Sequence, residues 1–149
     1  MPWTMSASPS AGRQQRQIHE GVGIDTCVVL RLLVGEPEDQ AELAKAFVEE
    51  CYYDGIEVCV NDMVVAESYH ALTYHYDVPK LKAVEALRDF LGSPMVTATG
   101  HAMPIIMSYT GTGAGLVDRL IRADLLDHAY EVRTFDRDFA KLDNVELLH

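Results

Sequence analysis

The stretch Ile56-Glu-Val-Cys-Val-Asn-Asp-Met-Val-Val-Ala-Glu-Ser-Tyr-His-Ala-Leu-Thr-Tyr-His-Tyr76 changes character halfway along. Residues 56–60 form a short, β-branched apolar run after the turn pair Asp54-Gly55, the pattern of a buried strand. From Asn61 the apolar residues recur at helical spacing, and Asn61 or Asp62 is placed to cap a helix that runs through residue 76 and stops before Pro79. A buried strand feeding directly into a long helix is the unit of a parallel sheet, because parallel neighbours require a crossover between them.

The same alternation extends in both directions. Upstream, residues 22–24 are a short strand ending at Asp25. Thr26 is a cap for a helix over residues 27–34, which Gly35 and Pro37 terminate, and a second helix follows over 38–53 with Leu43, Ala46 and Phe47 at helical spacing. Downstream come a helix over 80–91, closed by Gly92-Ser-Pro94, a strand over 95–99 and a short helix over 101–109. An amphipathic helix over 116–128, a strand over 130–135, a helical turn over 137–142 and a final strand over 145–148 complete the chain. The expected fold is a three-layer α/β/α sandwich with a mainly parallel central sheet, in one domain spanning residues 18–149. Residues 1–17, MPWTMSASPSAGRQQRQ, lack apolar periodicity and read as a disordered leader.

Composition limits the function. The 149 residues carry 12 Lys plus Arg against 23 Asp plus Glu, a formal net charge of −11. A protein that coats nucleic acid through a general basic surface is excluded, since the mean field repels phosphate. The three cysteines, Cys27, Cys51 and Cys59, stand in apolar runs without CxxC spacing. They read as small buried thiols of a reduced, cytoplasmic protein and not as a zinc site. No stretch reaches the roughly 20 apolar residues that span a bilayer, and the leader has no signal-peptide core.

Ligands of open parallel sheets bind at the carboxyl ends of the strands. Asp25 and Asp136 follow predicted strands; either alone reads as a helix cap, but two at one edge make a site. Glu67 falls on a helical stripe with Met63, His70, Ala71 and Tyr74, where a carboxylate needs a cation or a proton, unless it leans into solvent near the helix N-terminus. Asp118 begins the helix after the glycine-rich stretch and reads equally as a surface partner of Arg122. Four converging carboxylates repel one another by roughly 4 kcal/mol per pair at 4 Å and an effective dielectric near 20. An oxygen-only set without nearby Cys or His matches Mg²⁺ or Mn²⁺. The chemistry that needs such a set is metal-assisted phosphodiester hydrolysis.

Several segments carry a resemblance. Residues 24–33, IDTCVVLRLL, are similar to the opening strand–Asp–Thr–helix of PIN-domain ribonucleases. Residues 65–72, VAESYHAL, resemble the second acidic helix of that family, and 116–121, LVDRLI, the helix of its third acid. Residues 134–142, TFDRDFAKL, resemble its closing segment most specifically. The resemblance implies a metal-dependent endoribonuclease, within the family a VapC-type toxin of a type II toxin–antitoxin pair. It implies Asp25 and Asp118 as principal metal ligands, Glu67 completing the acidic ring and Asp136 as fourth acid. Thr26 and Thr134 become hydroxyls that fix these carboxylates, and Asp138 an auxiliary acid or a helix cap. Mg²⁺ or Mn²⁺, an RNA substrate, a cognate antitoxin and a homodimer follow from the same resemblance. A departure lies before Asp118, where Gly113-Ala-Gly-Leu-Val117 replaces the usual aromatic or acidic residue, so a shifted register would bring in Asp124 or Asp127.

The remaining features have plainer readings. GTGAG over residues 111–115 lacks the Lys-Ser/Thr of a phosphate loop and reads as a flexible connector. Arg13, Arg16 and Arg31 are candidates for RNA phosphates, Arg31 equally for a neighbouring acid. A phospho-acceptor domain is disfavoured, since position 27 is Cys where a second Asp would stand. A PIN-like scaffold that binds a partner without catalysis is the alternative, and the presence of all four acids weighs against it.

Overall fold

The computed structural model describes residues 21–149; the segment read as a leader lies outside them. The elements follow in the expected order: β1 (Gly21–Gly23), α1 (Thr26–Val34), α2 (Glu38–Tyr53), β2 (Glu57–Val60), α3 (Asp62–Tyr74), α4 (Lys80–Leu91), β3 (Thr97–Ala98), α5 (Ala102–Ser108), α6 (Leu116–Leu126), β4 (Val132–Thr134), a 3₁₀ turn (Phe139–Lys141) and β5 (Val145–Leu147). Every strand pairing is parallel, as the crossovers demand. β2 lies between β1 and β3, and β4 pairs with β5. Among the described residues the strands thus form a three-stranded and a two-stranded group.

Valines 58 and 60 of β2 are almost fully buried, and so are Val29, Val65, Leu72, Leu87, Ile106 and Leu116 from the surrounding helices. This main core joins β1–β3 to α1–α6. A second, small core of Val132, Phe139 and Val145, with Leu126 and Leu142 against it, sits under β4 and β5. It fixes the chain around Asp136.

Local capping explains where the helices start. Asp25, not Thr26 as expected, caps α1: its Oδ1 accepts the Val28 N–H at 3.3 Å, and Thr26 is already the first helical residue. Asn61 caps α3 by accepting the Val64 N–H at 2.9 Å. Asp62 is thereby released for another task. Its carboxylate accepts the backbone N–H groups of His101 and Ala102 at 2.9–3.0 Å and ties the start of α5 to α3. Gly100 has φ +79°, and a Cβ there would lie 2.9 Å from Asp62 Oδ2, so both backbone and space require glycine.

Two expectations about surface and loop are corrected. Cys27 is exposed, because its position on α1 faces away from the core; Cys51 is buried and Cys59 partly so. The connector over 110–115 is held: the Arg119 guanidinium donates to the carbonyls of Ala114 at 2.9 Å and Thr112 at 3.1 Å and lies over the Tyr109 ring. No helix among the described residues is long and apolar enough to cross a membrane.

His101 and Asp127 join the start of α5 to the end of α6 through a 2.7 Å contact. An acid at a helix C-terminus opposes the macrodipole, and a protonated imidazole offsets that cost. The hydrogen bond to Asp127 holds the His101 pKa above its usual 6.5; burial opposes it, and the charges of Asp127, Asp62 and Asp124 reinforce it. A histidine raised in the folded state contributes stability that is complete below the unfolded pKa, near 6.5, and lost as pH rises through the folded value. Urea unfolding between pH 6 and 8 should therefore show stability declining with pH, and Asp127→Asn should flatten that dependence.

Candidate active site

The four candidate acids come from four separate elements. Asp25 caps α1 just past the carboxyl end of β1, Glu67 lies on α3, Asp118 in the first turn of α6, and Asp136 beyond the carboxyl end of β4. Glu67 is exposed, not buried on an apolar stripe as its spacing implied. The stripe itself faces solvent, with Met63 and Tyr74 exposed, while Val65, Ser68, Tyr69 and Leu72 carry the buried face of α3. Glu67 instead receives the Thr26 hydroxyl, which donates to its Oε1 at 2.6 Å. The residue beside Asp25 thus tethers the second acid to the start of α1.

Asp118 and Asp136 form the other grouping. The Asp118 carboxyl is held above the ordinary range by burial first and by the Asp136 charge second. No ion pair to Arg122 competes, since the Arg122 Nε donates to the Asp143 carbonyl at 2.7 Å. The register alternatives have surroundings of their own. Asp127 is engaged by His101, and Asp124 lines a depression of about 420 Å³ with Asn61, Asp62, Ala66 and Val117, the last two adjoining Glu67 and Asp118.

Asp136 is held from both sides. Its N–H donates to Thr134 Oγ1 at 3.0 Å, and its Oδ1 accepts the N–H groups of Asp138 and Phe139 at 2.8 and 3.0 Å. Thr134 therefore fixes this acid through its backbone. Asp136 also performs the capping that was an alternative for Asp138, whose carboxylate faces Lys141 at 3.0 Å on the surface. Arg31, a candidate for phosphate or acid, donates to Gln40 Oε1 at 2.6 Å; Arg13 and Arg16 lie outside the described residues. Among the described residues, no group of three or more His, Cys, Asp or Glu is arranged to hold a metal ion. The links among these acids are the Thr26 hydroxyl bond to Glu67 beside Asp25 and the influence of the Asp136 charge on Asp118. Beside Asp25 opens an apolar cleft of about 650 Å³ lined by Val22, Ile24, Val28, Leu43 and Phe47.

The fold is a parallel α/β domain in which Asp25 and Asp136 stand past the carboxyl ends of strands, the edge where open parallel sheets bind their ligands. The PIN domain family model matches residues 22–145, most of the chain, and the protein belongs to the PIN domain family. No curated protein sequence matches it. PIN domains are generally nucleases and typically use divalent metals.

Proposed function

We propose that the protein is a Mg²⁺- or Mn²⁺-dependent endoribonuclease that hydrolyses RNA phosphodiesters through Asp25, Glu67, Asp118 and Asp136. The observation that carries this reading is the grouping of acids far apart in sequence: Asp118 with Asp136, and Glu67 with the Thr26 hydroxyl next to Asp25. The donor chemistry fits the ion. All four side chains are hard carboxylates, and Mg²⁺ commonly takes only one or two of them, with water and substrate phosphate completing its shell. When bound, the ion supplies an activated water and neutralises charge on the phosphodiester.

The chain's own residues do the positioning. Oδ1 of Asp25 is occupied by the helix cap, which orients the carboxylate while Oδ2 remains for a ligand. Thr26 sets the direction of Glu67, and Asp136 is immobilised by the Thr134 hydroxyl and two backbone donors. Thr26→Val should accordingly reduce cleavage on the order of 10-fold, the scale for groups that orient metal ligands. It should change stability by less than about 1 kcal/mol, because the hydrogen bond is exposed. Parallel rate and urea-unfolding measurements check both values.

The toxin–antitoxin role, with a basic antitoxin segment offsetting the −11 charge and a homodimer as the working form, belongs to the same proposal. It is supported by the apolar cleft beside Asp25, which suits a partner segment. Exposed Met63, Ile121 and Leu125 on α3 and α6 suit a second copy. The test is cleavage of a labelled total-RNA pool by the purified chain with Mg²⁺, with Mn²⁺ and with EDTA. Metal-dependent cutting supports the nuclease. No cutting with either ion, together with no metal-induced rise in melting temperature, overturns it in favour of a non-catalytic partner-binding scaffold.

A further inference from the structure

The segment that fixes Asp136 also presents two side chains that the hydrolytic reading leaves without a task. β4 alternates as a strand should: Val132 is buried, Arg133 exposed, Thr134 half-buried, and Phe135, next in the chain, points outward at 80% exposure. A phenylalanine on the solvent side immediately before a site acid has no packing role to explain it. Arg137, immediately after that acid, is exposed and has no hydrogen bond or ion pair to another described residue. That sets it apart from the other described arginines. Arg88, Arg119 and Arg122 donate to backbone carbonyls, Arg133 pairs with Glu131, and Arg31 with Gln40. In a chain of net charge −11, acceptor carboxylates are abundant, yet this cation is left to solvent beside Asp136.

We propose that Phe135 and Arg137 form a subsite for single-stranded RNA astride Asp136, the ring stacking on an unpaired base and the guanidinium holding a backbone phosphate. This rests on the reading of Asp136 as part of a ribonuclease site and adds how that site grips its substrate. Recognition of unpaired RNA commonly combines aromatic stacking on bases with cationic contacts to the backbone. Here both are mounted on one rigid turn. The Asp136 N–H is held by Thr134, the Asp138 and Phe139 N–H groups are held by Asp136, and Phe139 is anchored in the small core under β4 and β5. The backbone positions of ring, acid and cation are therefore set before substrate arrives, which leaves only the two side chains to be ordered on binding. A short, local contact of this kind also suits a protein whose overall field repels nucleic acid.

The experiment is equilibrium binding of a 12-nucleotide single-stranded RNA carrying one 2-aminopurine to the full chain in EDTA, so that cleavage does not intervene. Anisotropy gives the affinity, and quenching of 2-aminopurine reports stacking. Phe135→Ala should weaken binding about 10-fold and abolish the quenching, while Phe135→Tyr should preserve both. Arg137→Gln should weaken binding and lower the slope of log affinity against log salt by about 0.7, the loss of one phosphate contact to a single strand. In cleavage assays Phe135→Ala should raise KM and leave kcat unchanged. Because both side chains are exposed, circular dichroism and melting temperature should match the unaltered chain. Wild-type-like binding and salt slope in Phe135→Ala and Arg137→Gln would overturn the subsite while leaving the nuclease intact. Failure of the unaltered chain to bind RNA in EDTA would likewise overturn the subsite and reassign the exposed pair to a protein partner, whereas the nuclease reading stands or falls on metal-dependent cutting.

Discussion

Asp25→Asn is expected to abolish metal-dependent RNA cleavage, with a loss on the order of 10²–10⁴-fold, the range seen when a positioned acid–base or charge-stabilising group is removed. The substitution is informative because Asn is itself a good helix cap. Its side-chain oxygen can keep accepting the Val28 N–H, so α1 and the fold should be retained while the negative charge is lost. Melting temperature within about 2 °C of the unaltered chain, with activity gone, would place Asp25 in the site. Unchanged activity would remove it. Asp118→Asn sharpens the test. The Asp118 carboxyl is raised by burial and by Asp136, so its ionised form is unfavourable in the folded protein. Such a group costs stability increasingly as pH rises above its unfolded value, and in EDTA at neutral pH Asp118→Asn should raise the melting temperature while eliminating cleavage. Gain of stability with loss of activity is the signature of a functional acid; a structural one would lose both.

The largest effect on stability is expected from Leu116→Ala. Leu116 opens α6, is 1% exposed and belongs to the main core that joins α6 to the helices around it. Truncation removes the transfer free energy of the deleted atoms and leaves a cavity, a combined loss of about 2–5 kcal/mol. For a chain of this size that lowers Tm by roughly 3 °C per kcal/mol. Ile121→Ala on the same helix, 44% exposed, should stay within about 1 kcal/mol and serves as control. Because Leu116 is a buried core residue and not one of the proposed acids, the cavity variant should keep its activity at low temperature and lose it early on heating. Denaturant unfolding at 25 °C and activity against temperature separate these effects. A Leu116→Ala variant as stable as the unaltered chain would contradict the placement of α6 in the core.

Glu67 and Asp136 are both exposed, and they differ in how each acid is held. Asp136 gains its position from neighbours within five residues, through Thr134, Asp138 and Phe139. Glu67 depends on Thr26, 41 residues away, and therefore on the packing of α1 against α3. Substitutions in the α1–α3 interface should disturb Glu67 before they disturb Asp136.

By itself the sequence determined the order and type of the elements, because the periodicity of a strand or helix is written in consecutive residues. The buried run at 56–60, the cap at Asn61 and the breaks at Gly35, Pro79 and Gly92 are local instructions, and the structure follows them to within a few residues. Asp25, Asp118 and Asp136 stood out as candidates for the same reason, since each follows a strand or lies in the first turn of a helix, whereas Glu67 drew notice only through its helical stripe. Tertiary structure decided what these groups meet. Only the packing of α6 puts Asp118 near Asp136 while Asp127 engages His101 and Arg122 turns to the Asp143 carbonyl. Only the docking of α1 on α3 gives Glu67 its donor, exposes Met63 and Tyr74, and turns Cys27 to solvent. The glycine-rich connector is held because Arg119 reaches back to its carbonyls. Helical spacing states which residues share a face; which way that face turns depends on contacts between residues tens of positions apart.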